Sequence, residues 1–103
     1  MLIYAGRAQR HLGDLTREQI VADELRQDAL ERAIELIGEA AGKIGGDTKA
    51  KLAEVPWREI VRTRHIVAHD YGSIDHGILI DIVRQHLPPL IAAIERLLAE
   101  EPE

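Results

Sequence analysis

Between residues 24 and 44, apolar side chains return every three or four positions: Leu25, Ala29, Ala33, Ile37, Ala40 and Ile44, with Leu30, Ile34 and Ala41 widening the stripe. Side chains advance about 100° per residue on an α-helix, so this spacing gathers them on one side. Gly45-Gly46 stops the run. A long helix with one apolar flank must bury it against other elements, and the composition says which kind. The chain has no Phe, one Trp and two Tyr, so its core is aliphatic, and Leu, Ile and Ala favour helix packing on helix. No segment alternates like a strand, and there are no repeats or low-complexity tracts. The expectation is one all-α domain over residues 1–103, an antiparallel bundle of four to five helices.

The other helices are delimited by their punctuation. Residues 2–12 read as an amphipathic helix that starts without an obvious cap and is broken by Gly13-Asp14. Thr16 and Gln19 have capping-box spacing and predict a short helix through Ala22. Asp23 caps the long helix. Residues 48–54 read as a short helical turn. Pro56 suits the first position of a helix that runs to His69, with Val55 before it extended and Trp57, Ile60, Val61 and Val67 as its apolar contacts. Gly72 ends that helix. Asp75 or Ser73 caps the next, which runs to about His86, where Pro88 and Pro89 kink or restart it. The EEPE tail is expected to be solvated.

Charge narrows the function classes. The formal net charge is −5, so no protein-wide field attracts a polyanion. Residues 55–69 nevertheless hold Arg58, Arg62 and Arg64 against Glu59, a local net of +2 that leaves −7 on the remainder. The absence of cysteine removes disulfides and thiolate metal sites and fits a reducing cytoplasm. The first residues are too polar for a signal peptide, no apolar run reads as membrane-spanning, and no membrane partner is expected. A chain of 103 residues can bury a core but gains from self-association.

The segment RTRHIVAHDY, residues 62–71, concentrates the chemistry. Arg62, His65 and His69 are spaced by three and four and share a helix face, whereas Arg64 lies about 140° from His69. Arg64 and His69 can act together only if the helix ends or distorts near His69, or if a second copy completes the site. Plainer explanations exist for each residue. Cations at a helix C-terminus are stabilised by the helix dipole. His65 and His69 at i, i+4 have the spacing of a zinc pair, but no HExxH, ExxH or cysteine supports a metal. Tyr71 suits the end of a bundle with its hydroxyl wet, Trp57 suits the core, and Asp70 is either a solvated charge or a partner for a neighbouring imidazole. His11, His76 and His86 are scattered. Gly38, Ala40, Ala41 and Gly42 permit close helix approach, within the core first and at a dimer seam as the alternative.

Arg64, His69 and Tyr71 together form R-x4-H-x-Y, and in this the chain resembles the HepT-like toxins of the HEPN superfamily. LRQDALERAIELIGEAAGKI at 25–44, PWREIVRTRHIVAHDY at 56–71 and GSIDHGILIDIVRQHLPPLIAAIERLL at 72–98 look like the family's long, motif and closing helices. The resemblance implies a homodimeric toxin of a toxin–antitoxin system. Motifs from both protomers would face one cleft and cleave RNA without a metal or other cofactor. It implies Arg64 and His69 as the catalytic pair, and Tyr71 as the residue to which an MntA-type nucleotidyltransferase antitoxin transfers AMP. Arg62, His65 and Asp70 are then supporting or RNA-binding residues. Arg62 also fits the superfamily's wider R-x4-6-H spacing, and His65 stands where relatives often have Asn. The alternative is an inactive helical module that binds such a transferase or a nucleotide.

The chemistry suits the residues. Metal-free RNA cleavage uses the substrate's own 2′-hydroxyl as nucleophile. Imidazole can remove or return its proton near neutral pH, and guanidinium bonds two phosphate oxygens while staying charged.

Overall fold

The computed structural model describes residues 1–69 and 75–100. Among them every regular element is helical. α1 spans Leu2–Leu12, α2 Arg17–Val21, α3 Glu24–Gly42, α4 Gly46–Lys51 and α5 Trp57–His69. The last helix, α6, runs His76–Glu100. Four long helices and two short ones thus make the all-α bundle that the periodicity predicts.

The boundaries follow local hydrogen bonding. α1 ends at Gly13, whose φ of 53° puts it in the left-handed region that glycine adopts without strain. The capping box is formed: the Gln19 amide donates to Thr16 Oγ1 at 3.2 Å, and the Thr16 amide donates to Gln19 Oε1 at 2.8 Å. The Arg26 amide donates to Asp23 Oδ1 at 3.0 Å, and the Gly77 amide to Asp75 Oδ1 at 2.7 Å, so both aspartates cap as expected. The expected ends Gly72 and Ser73, and the tail beyond Glu100, lie outside the described residues.

Three details differ from the sequence reading. α3 stops at Gly42, with Lys43 as its C-cap, and α4 begins at Gly46, so the break keeps its expected length but falls two residues earlier, and the short helix with it. Leu25, counted in the apolar stripe, is 80% exposed. It lies in the first turn of α3, whose Arg26 and Gln27 reach back to the carbonyls of His11, Ile20 and Val21 while Leu25 faces away. Finally, Pro88 and Pro89 neither restart nor sharply break α6. The preceding residues Ile82–His86 widen into a π-helical turn. A proline lacks the N–H that would bond four residues back, and a wider turn absorbs that gap within a continuous helix. This continuity makes His76–Glu100 long and apolar enough to cross a membrane by length and composition, which corrects the estimate of the longest apolar run. Its inward side is nonetheless part of the core.

That core is aliphatic. Leu12, Ile20, Leu30, Leu52, Val67 and Leu79 are sealed from solvent, with Ala5, Ala8, Ala33 and Ala93 where backbones approach. α3 is its axis: it packs against α1 and α5 and touches α2 and α6. Exposed Arg17 pairs with the α6 cap Asp75 at 3.2 Å, and Glu54 pairs with Arg96, tying loop to helix at the surface.

Candidate active site

α5 is positioned from its start. The Ile60 amide donates to the Pro56 carbonyl at 3.0 Å, which makes Pro56 the cap one residue before the helix. Trp57 is half-buried, its Nε1–H donates to the Leu52 carbonyl at 3.1 Å, and Lys49 sits 5.9 Å from its ring centroid. The indole is therefore an anchor for α5, as its core reading predicts.

One face of the helix is held tightly. At the crossing with α3, a Cβ placed on Gly38 would lie 2.1 Å from Arg64 Cβ, 2.8 Å from Arg64 Cγ and 3.2 Å from the Ile60 carbonyl. Only glycine permits this approach. Val67, buried one turn on, continues the same contact side. Arg64 is consequently laid against α3, and its Nε is buried without a hydrogen-bond partner among the described residues.

The opposite face is open. Arg58, Val61, Arg62, His65, Ile66 and His69 line a shallow concavity of about 470 Å³. The rings of His65 and His69, one turn apart, are parallel within 8° with centroids 6.3 Å apart. Among the described residues no carboxylate lines this concavity. Among the described residues, none of the three α5 arginines has an ion pair. Elsewhere Arg17, Arg26, Arg32, Lys43 and Arg96 are matched with carboxylates, and Arg84 donates to the Leu15 carbonyl at 2.6 Å. Among the described residues α5 thus carries three arginines without an ion pair, while on α1 Arg7, 5.7 Å from the Tyr4 ring centroid, and Arg10 also lack one. His65 and His69 form no group with a third potential metal ligand among the described residues.

The structure brings Arg62, His65 and His69 together and places Arg64 on another side of the helix. α5 remains regular through His69. The divergence of Arg64 from His69 expected from helical geometry is therefore realised within one protomer. Asp70 and Tyr71 lie outside the described residues. Two residues were undervalued in the sequence. Arg58 joins the open face four positions before Arg62, so extending the 62/65/69 spacing one turn back would have found it. Gly38 seats Arg64, a role that no single-helix pattern carries because it depends on where α5 crosses.

Beside this face runs a larger apolar groove of about 590 Å³ between α5 and α6. Its floor includes Ile37 and Ile60, and Ile66 and Ile78 stand at 44% and 56% exposure along it. Glu59 faces this groove, away from the cationic file.

The family model described as ribonuclease HepT-like matches residues 1–97. A protein of Methanocaldococcus jannaschii, provisionally named an RNase, is 34% identical over 82 residues, 80% of this chain and 75% of its own length. A protein of Thermococcus cleftensis, provisionally named ribonuclease HepT, is 38% identical over 80 residues, 78% of this chain and 73% of its own. A third, from Caldanaerobacter subterraneus and also provisionally named an RNase, is 29% identical over 84 residues, 82% and 75% of the two chains. No solved structure gives a significant match to the chain.

Proposed function

This chain belongs to the HepT-like ribonuclease family, and we propose that it is a metal-independent endoribonuclease, the toxin of a toxin–antitoxin pair, working at a homodimer cleft. The observation that carries this reading is the carboxylate-free face of α5, where Arg62, His65 and His69 converge with no intramolecular ion pair among the described residues. A phosphodiester on that face meets guanidinium groups able to hold its oxygens and an imidazole able to move the 2′-hydroxyl proton. His69 is assigned the proton transfer. Arg64 is the motif arginine, and Arg62 is the arginine on His69's own face.

A second copy resolves the geometry of Arg64. Within one protomer it diverges from His69, so a two-fold mate is what brings one protomer's Arg64 towards the other's His69. Two imidazoles at one cleft also allow one to act as base and its mate as acid. The open groove and exposed Ile66 and Ile78, contiguous with the site, supply apolar area for such a mate to cover.

Tyr71 follows His69 by two residues. AMP attached there by a nucleotidyltransferase antitoxin would set bulk and negative charge beside the phosphate path, and both oppose substrate. The test is purified protein with total RNA, with and without chelator, beside Arg62→Ala, Arg64→Ala and His69→Ala. Chelator-insensitive cuts that disappear with His69→Ala are expected. Cuts that persist in His69→Ala overturn the assignment, and a chain that cuts nothing and only binds a transferase tightly is the inactive module instead. Incubation with the transferase and ATP should add one AMP mass to the wild type and none to Tyr71→Phe.

A further inference from the structure

The open face of α5 extends beyond the residues a cleavage step needs. Arg58, Arg62, His65 and His69 recur at intervals of four, three and four, close to one per helical turn. With a rise of 1.5 Å per residue, the file covers about 16 Å along the helix axis. All four are exposed, all line one continuous concavity, and among the described residues no carboxylate interrupts them. Arg58 stands at the far end, about three turns from His69. Nothing in the fold uses it: among the described residues it has no ion pair, although Glu59 is its neighbour in sequence, because Glu59 turns to the apolar groove.

We propose that Arg58 is a substrate-binding residue, holding a phosphate several nucleotides from the scissile linkage, and that the α5 file tracks the backbone of single-stranded RNA. The proposal takes its substrate from the ribonuclease reading above. A single straight file of cations follows one strand, whereas a duplex presents two rows of phosphates separated by a groove. Val61 and Ile66, set between the cations, offer apolar contact to sugars and unstacked bases that only an unpaired strand exposes. An unpaired guanidinium binds a phosphate by charge and forked hydrogen bonds without reading the base, so the site selects for strand and length, not for sequence.

The test measures binding apart from cutting. Full-length protein is titrated with a fluorescent single-stranded 2′-O-methyl oligoribonucleotide, which lacks the nucleophilic hydroxyl, at several salt concentrations. Wild type is compared with Arg58→Ala, Arg58→Lys and Arg10→Ala, the last removing a cation of α1 that has no ion pair among the described residues. Each phosphate neutralised on a single strand contributes about 0.7 to the slope of log affinity against log salt. Arg58→Ala should lose about that much slope, while Arg58→Lys and Arg10→Ala keep it. With the duplex of the same sequence, wild type and Arg58→Ala should show the same slope. Equal slopes for wild type and Arg58→Ala overturn the proposal, and an equal Arg58 effect on duplex overturns its single-strand part. Cleavage of ordinary RNA is run in parallel. If wild type cuts nothing yet the Arg58 slope shift is found, the ribonuclease reading falls and this site stands. If wild type cuts and the slopes are equal, the reverse holds.

Discussion

α5 presents two sides that were built for different ends. The side against α3 is closed so tightly that a single added methyl at Gly38 would collide with Arg64. The side carrying Arg58, Arg62, His65 and His69 is exposed and, among the described residues, its concavity is lined by α5 alone. Closed packing contributes stability through buried area and contact density. Open, unpaired cations contribute none and cost something in mutual repulsion. Chemistry-bearing residues left idle by the fold are therefore the ones to assign to function, and residues two positions apart should fail in different ways.

The largest contrast is between His69 and the residues behind it. His69→Ala is expected to lower RNA cleavage by about a hundredfold or more while the urea midpoint stays near that of wild type, since an exposed side chain is removed. Gly38→Ala should do the opposite first. Overpacking a close crossing typically costs about 1–3 kcal/mol, read as a lower urea midpoint with an unchanged slope. Gly42 is the control on the same helix. A Cβ there meets nothing within 4 Å, so Gly42→Ala should raise stability by roughly 0.4–1 kcal/mol through the unfolded chain. If both glycine variants move together, the crossing is not as close as described and the two-sided picture of α5 breaks.

Much of this division was legible before the fold. Thr16, Gln19, Asp23 and Asp75 announce their caps because capping is a local hydrogen bond between near neighbours in sequence. The stripe in α3 and the divergence of Arg64 from His69 follow from helical pitch alone. Other features depend on distances between helices, which no single-helix period encodes. Gly38 could be recognised as small, but not as the seat of Arg64. The open groove exists because α5 leans on α3 and not on α6, and the exposure of Leu25 reflects where α1 and α2 end. The π-turn of Ile82–His86 was half-visible: the proline pair signals a disturbance, but whether a helix breaks or widens is settled by what the surrounding core holds in place.

The apolar groove sharpens the comparison at smaller cost. Ile66 and Ile78 are about half exposed beside the open face. Ile66→Ser and Ile78→Ser should leave protomer stability within about 0.5 kcal/mol and weaken self-association by roughly fivefold each, about 1 kcal/mol of apolar area. Sedimentation over a dilution series reads this directly. Association that is indifferent to both substitutions, or no association at any concentration, would leave the groove without a mate and count against the proposed dimer.

The smallest effect tests the closed side from within. Among the described residues, Glu31 is the charged residue sealed into the core, at 2% exposure. Burial pushes its carboxyl above the ordinary range, Asp28 adds to that rise, and His76 opposes it. Below the pKa of the unfolded chain both states hold the proton and Glu31 costs nothing. As pH rises through the higher folded value, the unfolded chain releases its proton readily while the folded one resists, so stability is lost. Glu31→Gln cannot ionise and escapes that loss. Its urea midpoint should exceed wild type at pH 7, and the advantage should vanish at pH 4. An advantage of equal size at both pH values would mean that packing of the amide, not the charge, sets the difference, and that the closed side tolerates its carboxylate through a partner the geometry does not reveal.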